Sequence, residues 1–144
     1  MKIIIQRVLN SSVEVDNKIV GKINKGFLVL LGIKKGDTKE DVERLVDKMC
    51  KLRIFEDEYG KMNINIKDIN GEILVVSQFT LYANCTKGNR PSFFEAAEPE
   101  VANELYEYFK QLVHRELGKV QSGIFGANMK VNLVNDGPVT IELT

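Results

Sequence analysis

A chain of 144 residues with 44% hydrophobic and 28% charged content has an ordinary globular composition, expected to form one domain, residues 1–144, around one core. Twenty basic residues offset twenty acidic ones, which disfavours wrapping of a long nucleic acid and leaves room for a small local contact. No apolar run approaches the ~20 residues that span a bilayer, and the N-terminus meets Arg7 before a signal-peptide core can build, so a cytoplasmic protein with no membrane partner is expected.

In chain order, β-rich runs come first: Ile3 to Val8, Val13 to Val15, Ile19 to Ile23, and the unbroken apolar stretch Phe27 to Ile33, which has the pattern of a strand buried on both faces. Thr38-Lys39-Glu40-Asp41 is a capping box with Asp in place of Glu, and Val42, Leu45, Val46 and Met49 follow at helical spacing. Asp57 to Gly60 and Asn70-Gly71 are turn signals, after which Ile73 to Val76 reads as another buried strand that ends at Ser77. Pro99 opens a second helix with Val101, Leu105, Tyr108, Phe109, Leu112 and Val113 on one face, stopped by Gly118. The tail reads as two strands around Asn135-Asp136-Gly137-Pro138. Strands that outnumber helices predict an α/β layered fold, a mixed sheet or partial barrel with two main helices on one face.

Much chemistry is disfavoured at once. His114, the one histidine, falls on the polar side of its helix, and nothing near Ser77, Thr80 or Cys85 in sequence supplies the base that a nucleophilic triad needs. Cys50 and Cys85 form no C-x-x-C pair, are expected as free thiols, and with one histidine do not compose a zinc site. There is no phosphate-loop or dinucleotide glycine motif, so neither metal nor cofactor is expected.

Three segments carry more polar or special residues than a scaffold needs. Ser77-Gln78-Phe79-Thr80 follows directly on a buried strand, where strand ends present groups to pockets; consecutive backbone N–H groups with the Gln78 and Thr80 side chains would suit an oxyanion, although composition alone favours a strand ending in a polar loop, a common arrangement. Asp136-Gly137-Pro138 reads as a hairpin turn, with a cis Gly137–Pro138 bond as the sharper alternative. Lys87 and Arg90 in a loop before Phe93 and Phe94 suit phosphate and base contacts, or simply a solvated loop anchored by its aromatics.

Taken together, Gln6-Arg7-Val8, Ser77 to Ala83, Gly88 to Phe93, Gly123 to Met129 and Asn135 to Thr140 resemble the D-aminoacyl-tRNA deacylase family along essentially the whole chain. The resemblance implies a homodimeric ester hydrolase that acts on the 3′ acceptor end of D-aminoacyl-tRNA. It implies catalytic roles for Ser77, Gln78, Phe79 and Thr80 and a cis Gly137–Pro138 inserted in trans into the partner's pocket. Arg7 would steady that motif, and Phe125 and Met129 would form pocket wall. Asn128 and Ser122 stand where the family more often has Asp and Thr. A base missing from the protein would be replaced by the terminal ribose 2′-hydroxyl, and a rigid wall near the α-carbon would admit glycine or a D side chain and reject an L one. Two competing classes are a nucleic-acid-binding module, for which the chain lacks a basic tail, and a non-catalytic ligand-binding dimer.

Overall fold

The computed structural model describes residues 1–144. β1 (Lys2–Val15) and β2 (Lys18–Ile23) form a hairpin across Asp16 and Asn17, both at positive φ, and β3 (Gly26–Gly32) follows. β1 pairs antiparallel with β3 over Lys2 to Val8 and with β2 over Ser11 to Val15. Helix α1 (Lys39–Lys51) and the small hairpin of β4 (Phe55–Glu56) and β5 (Met62–Ile64) carry the chain to β6 (Glu72–Ser77), which lies parallel to β3. A 3₁₀ turn (Phe79–Tyr82), a long loop and α2 (Pro99–Leu117) lead to β7 (Gln121–Ser122), parallel to β6; β8 (Lys130–Leu143) returns along the other edge of β1. The strand order β2-β1-β3-β6-β7 nearly closes on itself, because a Cβ added at Gly21 of β2 would stand 2.5 Å from the Ser122 carbonyl oxygen of β7.

Alternation along the parallel strands divides the interior in two. Ile73 and Val75 of β6 and Phe27, Val29 and Leu31 of β3 face α1 and α2, forming the larger core with Leu45, Met49, Tyr106 and Phe109. Leu28, Leu74 and Val76 point the other way, into a smaller core with Val8, Val13 and Ile23. Each such side chain, fully buried, stabilises the fold by ~1.5–3 kcal/mol. Both helices therefore lie on one face, and the curled sheet closes the other side.

Local signals produced the expected elements where they were strongest. Thr38 and Asp41 form the reciprocal capping box, with Thr38 N–H donating to Asp41 Oδ2 at 2.9 Å, and Gly118 ends α2 in the left-handed conformation. Three expectations need correction. The first two runs are one strand, β1. On α2 the buried residues are Leu105, Tyr106, Phe109, Leu112 and Val113, while Val101 is 48% exposed and Tyr108 is only half-buried against that core, its hydroxyl donating to Glu43. The tail is not a hairpin: Asn135 pairs with Val8 and Thr140 with Gln6, so both halves of β8 run the same way along β1, and residues 136–139 leave the ladder opposite the single residue Arg7.

The β3–β6 junction is the tightest point of the sheet. A Cβ at Gly26 would overlap the Glu72 carbonyl oxygen and lie 2.7 Å from the Glu72 backbone C and N, so the parallel strands would have to part. Gly26→Ala should cost about 3 kcal/mol in urea-denaturation midpoints. Gly36→Ala, at φ +88 with open space around it, should cost only about 1 kcal/mol.

Candidate functional site

The carboxyl end of β6 opens into a cleft of about 580 Å³, a size typical of small-molecule sites. Val76, Ser77, Gln78 and Phe79 form one side, and the loop into α2, with Phe93, Ala96, Ala97 and Glu98, forms another. Phe125 to Met129 close the third. Glu98 is the one ionisable side chain on these walls; the rest of the lining is apolar or neutral.

The Ser77 side is set by the sheet. Gln78 N–H donates to the Leu31 carbonyl at 2.8 Å, extending the β3–β6 ladder one residue beyond Ser77, so this N–H is engaged and not free for an oxyanion as the sequence suggested. The 3₁₀ turn then begins, and the N–H groups of Phe79 and Thr80 have no acceptor within it. Gln78 Nε2 donates to Thr80 Oγ1, tying the two side chains together at the rim. Thr80 itself is exposed and does not line the cleft. The Phe79 ring meets Phe93 edge-on at 5.0 Å across the mouth.

The far wall is fastened from beneath by Tyr106. Its hydroxyl donates toward the carbonyls of Val75 at 3.4 Å and Gly123 at 3.3 Å, and its ring lies 5.7 Å from that of Phe125. Gly123 N–H adds a bond to the Val75 carbonyl at 3.0 Å, and the bare Gly123 leaves room for the Met129 sulfur, which a Cβ would overlap. Phe125 and Met129 thus lie on the wall. Residues 96–99 were not singled out from sequence, because small side chains and a helix-opening proline carry no pocket signal of their own.

Gly137 and Pro138 are absent from this cleft. Arg7, opposite which they leave the sheet, lies four residues along β1 from Ile3, the position aligned through Leu31 with Ser77. That is about 13 Å along the strands and three strand spacings, about 14 Å, across them. The Gly137–Pro138 bond is cis, and both residues are exposed. Arg7, only 4% exposed, holds the base of the loop: its guanidinium donates to the Ile54 carbonyl at 2.7 Å and the Asp136 carbonyl at 3.1 Å, with the Asp136 carboxylate 3.5 Å away. Asn135 closes the loop by accepting from Val139 N–H at 3.0 Å and donating to Thr140 Oγ1 at 2.9 Å. Lys87 lines a separate hollow beside the cleft, Arg90 is exposed on the same loop, and His114 is exposed on α2.

Fold and cleft define a small α/β protein whose main cleft opens at the carboxyl end of a parallel strand. The family model described as D-Tyr-tRNA(Tyr) deacylase matches residues 4–144. Curated relatives named D-aminoacyl-tRNA deacylase include those of Aquifex aeolicus (strain VF5), 60% identical over 141 residues, or 98% of this chain and 95% of the relative, and Thermosipho africanus (strain TCF52B), 57% identical over 143 residues, or 99% and 96%. Among solved structures, one described as c-Myc DNA Unwinding Element Binding Protein is 43% identical with a TM-score of 0.93, covering 100% of this chain and 98% of that one. Another, described as a probable eukaryotic D-amino acid tRNA deacylase, shares the fold at 19% identity and a TM-score of 0.86, over 99% and 97% of the two chains. The chain belongs to the D-Tyr-tRNA(Tyr) deacylase family and is an enzyme of that family.

The two thiols differ in environment. Cys50 is buried among the α1 contacts of the larger core, and that burial, aided by the Glu116 carboxylate, pushes its pKa up to about 11, whereas Cys85 is exposed. A raised pKa keeps the unreactive thiol below that pH. Native protein treated with iodoacetamide at pH 8 should therefore gain a single adduct, at Cys85, by mass spectrometry, and Cys50 should react only after unfolding.

Proposed function

We propose that this chain hydrolyses the ester of D-aminoacyl-tRNA to free tRNA and D-amino acid, acting in the cytoplasm after the synthetase has released its product. The observation that carries this reading is the cleft at the end of β6, polar at Ser77 and Gln78 and with Glu98 as its one ionisable side chain, in a chain of this family. Such a site positions an ester and stabilises charge rather than supplying a strong base. Water attacks the carbonyl carbon, the developing oxyanion is met by the Phe79 and Thr80 N–H groups at the start of the 3₁₀ turn beside the Gln78 side chain, which Thr80 holds from the rim, and the ribose oxygen leaves with a proton. The 2′-hydroxyl of the same ribose orients and helps deprotonate the water. The molecule is one compact domain and needs no metal or cofactor for these steps.

Selection between stereoisomers rests on a second chain. Gly137 and Pro138 are exposed, do not line their own cleft, and are braced by Arg7 and Asn135, which suits a rigid backbone probe presented to a partner. In a homodimer with two-fold symmetry the probe of each subunit enters the other's cleft, giving two equivalent sites. Backbone atoms standing near the substrate α-carbon leave room for hydrogen or a D side chain and collide with an L one, so L-aminoacyl-tRNA is rejected while glycyl-tRNA is also hydrolysed. This is editing in trans, a second discrimination added after the synthetase's own.

The primary test is hydrolysis of matched D- and L-tyrosyl-tRNA by purified protein: D should be cleaved at least about tenfold faster, a difference of ~1.4 kcal/mol in barrier. Equal rates, or none on D, would remove the reading in favour of a binding module. The trans arrangement has its own check. Gly137→Ala is crowded by Val139 Cγ2 at 2.8 Å and Arg7 Nη2 at 3.1 Å at a φ of +129, so its loop must distort, while Gln78→Ala with Thr80→Ala strips the rim of the cleft. Each altered homodimer should lose D-selective hydrolysis. Refolded together, mixed dimers should regain it at one site; demonstrable mixed dimers with no recovery of the D-to-L ratio would assign the loop to its own subunit's cleft.

A further inference from the structure

A second concavity adjoins the cleft. The chain from Asn84 to Ser92 is a loop closed at its base by Asn84 N–H to the Ser92 carbonyl at 2.8 Å and Ser92 N–H to the Asn84 carbonyl at 2.9 Å. Asn84 Oδ1 also accepts from Thr86 N–H at 3.0 Å and from the Thr86 hydroxyl at 2.7 Å, which stiffens the first turn of the loop. Under it lies a hollow of about 310 Å³ lined by Asn84, Thr86, Lys87, Ser92, Phe94 and Glu95.

The hollow and the cleft share one wall. Along Ser92 to Ala97, Phe93, Ala96 and Ala97 face the cleft, whereas Ser92, Phe94 and Glu95 line the hollow. Consecutive Cα atoms are about 3.8 Å apart, so only the thickness of one chain separates the two spaces. The segment is pinned to β3's extension by Lys35 N–H donating to the Glu95 carbonyl at 2.9 Å and by the Lys34–Ala96 bridge.

Phe94 is the unusual residue. It is 77% exposed, and the Lys35 ammonium stands 3.7 Å from the centroid of its ring, on one face, which leaves the opposite face open. Its neighbour Phe93 is spent on the cleft, against Phe79. An open aromatic face is a stacking platform for a nucleobase, and single-stranded RNA offers unpaired bases for it. Lys87 supplies a cation and Ser92 a hydroxyl for a phosphodiester, the Thr86 hydroxyl, its proton held by Asn84, accepts from a ribose hydroxyl, and the Glu95 carboxylate suits the exocyclic amine of a base such as cytosine.

If the cleft holds the esterified terminal adenosine, the next part of the same strand is one phosphodiester and one unpaired nucleotide, and the hollow, one chain's thickness away, lies within its reach. We infer that the hollow at Phe94 and Lys87 is a second RNA subsite that binds the nucleotide preceding the terminal adenosine, Phe94 stacking on its base and Lys87 facing the phosphate. This inference rests on the deacylase reading of the cleft and extends it to how the acceptor end is gripped.

Two small substrates separate the claims: 3′-O-D-tyrosyl adenosine, and the same ester on the dinucleotide cytidylyl-adenosine. The quantity read is the ratio of kcat/KM for dinucleotide over mononucleotide. In the unaltered protein the ratio should be about ten, and Phe94→Ala should bring it close to one, since stacking of one base on an aromatic ring supplies a factor of that order. Phe94→Tyr keeps the ring and should keep the ratio; Lys87→Gln should lower it and flatten the dependence of dinucleotide hydrolysis on salt. A ratio of one in the unaltered protein, or the same ratio in the Phe94→Ala and unaltered proteins, would overturn the subsite while leaving the cleft's role intact. No hydrolysis of either substrate by the unaltered protein would overturn the deacylase reading and the subsite with it. Should Phe94→Ala fail to fold, Phe94→Leu, which keeps the bulk and removes the ring, should lower the ratio toward one while Phe94→Tyr keeps it; an unchanged ratio in Phe94→Leu would overturn the stacking.

Discussion

β1 is hydrogen-bonded along both of its edges, to β8 on one side and to β3 and then β2 on the other. A strand in that position cannot shift register without breaking two ladders at once, because a one-residue slip moves every side chain to the opposite face. Any surplus of residues must therefore leave the sheet. Between Val8 and Gln6 of β1 there is only Arg7, whereas between Asn135 and Thr140 of β8 there are four residues, and these form the exposed loop that carries Gly137 and Pro138. The place of the loop is thus a consequence of pairing, and its rigidity is a consequence of what β1 places beneath it.

What β1 places there is a buried guanidinium. An isolated buried charge would be costly, but Arg7 meets the carbonyls of Ile54 and Asp136 and lies near the Asp136 carboxylate, so its donors are aimed at acceptors rather than at apolar atoms. One side chain ties the first strand, the segment after α1 and the loop of β8 into a single unit. Lysine, with its compact ammonium, lacks the planar fork that reaches two carbonyls at once. Farther along the same ladder with β8 a second irregularity, between Val8 and Ser11, shifts the alternation: Ile3 and Ile5 face the core under the helices, Val8 faces the smaller core by simple alternation, and beyond the shift the odd-numbered Val13 faces that smaller core too.

The cleft forms where those two interiors meet. Val75 faces Tyr106 and the helices, Val76 faces the smaller core, and at Ser77, next in line, the buried run of β6 ends. Tyr106 reaches through the larger core to hold Gly123, and so the wall carrying Phe125 and Met129 rests on the same β6 backbone as Ser77 to Phe79. Both sides of the cleft are referred to one strand, which limits how far they move apart. With a single carboxylate on the walls, the cleft presents fixed backbone and amide dipoles rather than a set of titratable groups.

Much of this was legible in the sequence, and the boundary is physical. Periodicity, caps and turn residues act over one to four positions, so α1 with its Thr38–Asp41 box, α2 between Pro99 and Gly118, and the doubly buried β3 and β6 could be read directly, as could the polar strand end at Ser77. The same local signals misassigned the tail, because Asp136-Gly137-Pro138 has the chemistry of a hairpin turn and nothing nearby in sequence reports that both flanking segments pair with a strand about 130 residues away. They also missed Tyr106, whose neighbours at helical spacing look equally buriable, and the Ala96 to Glu98 wall, whose small side chains signal nothing alone. Composition and local pattern settled which elements form and which chemistries lack residues; the register of β1 between two partners, the burial of Arg7 and the distance of Gly137 from Ser77 were decided only when the sheet curled and closed, since those depend on contacts that no local stretch of chain contains.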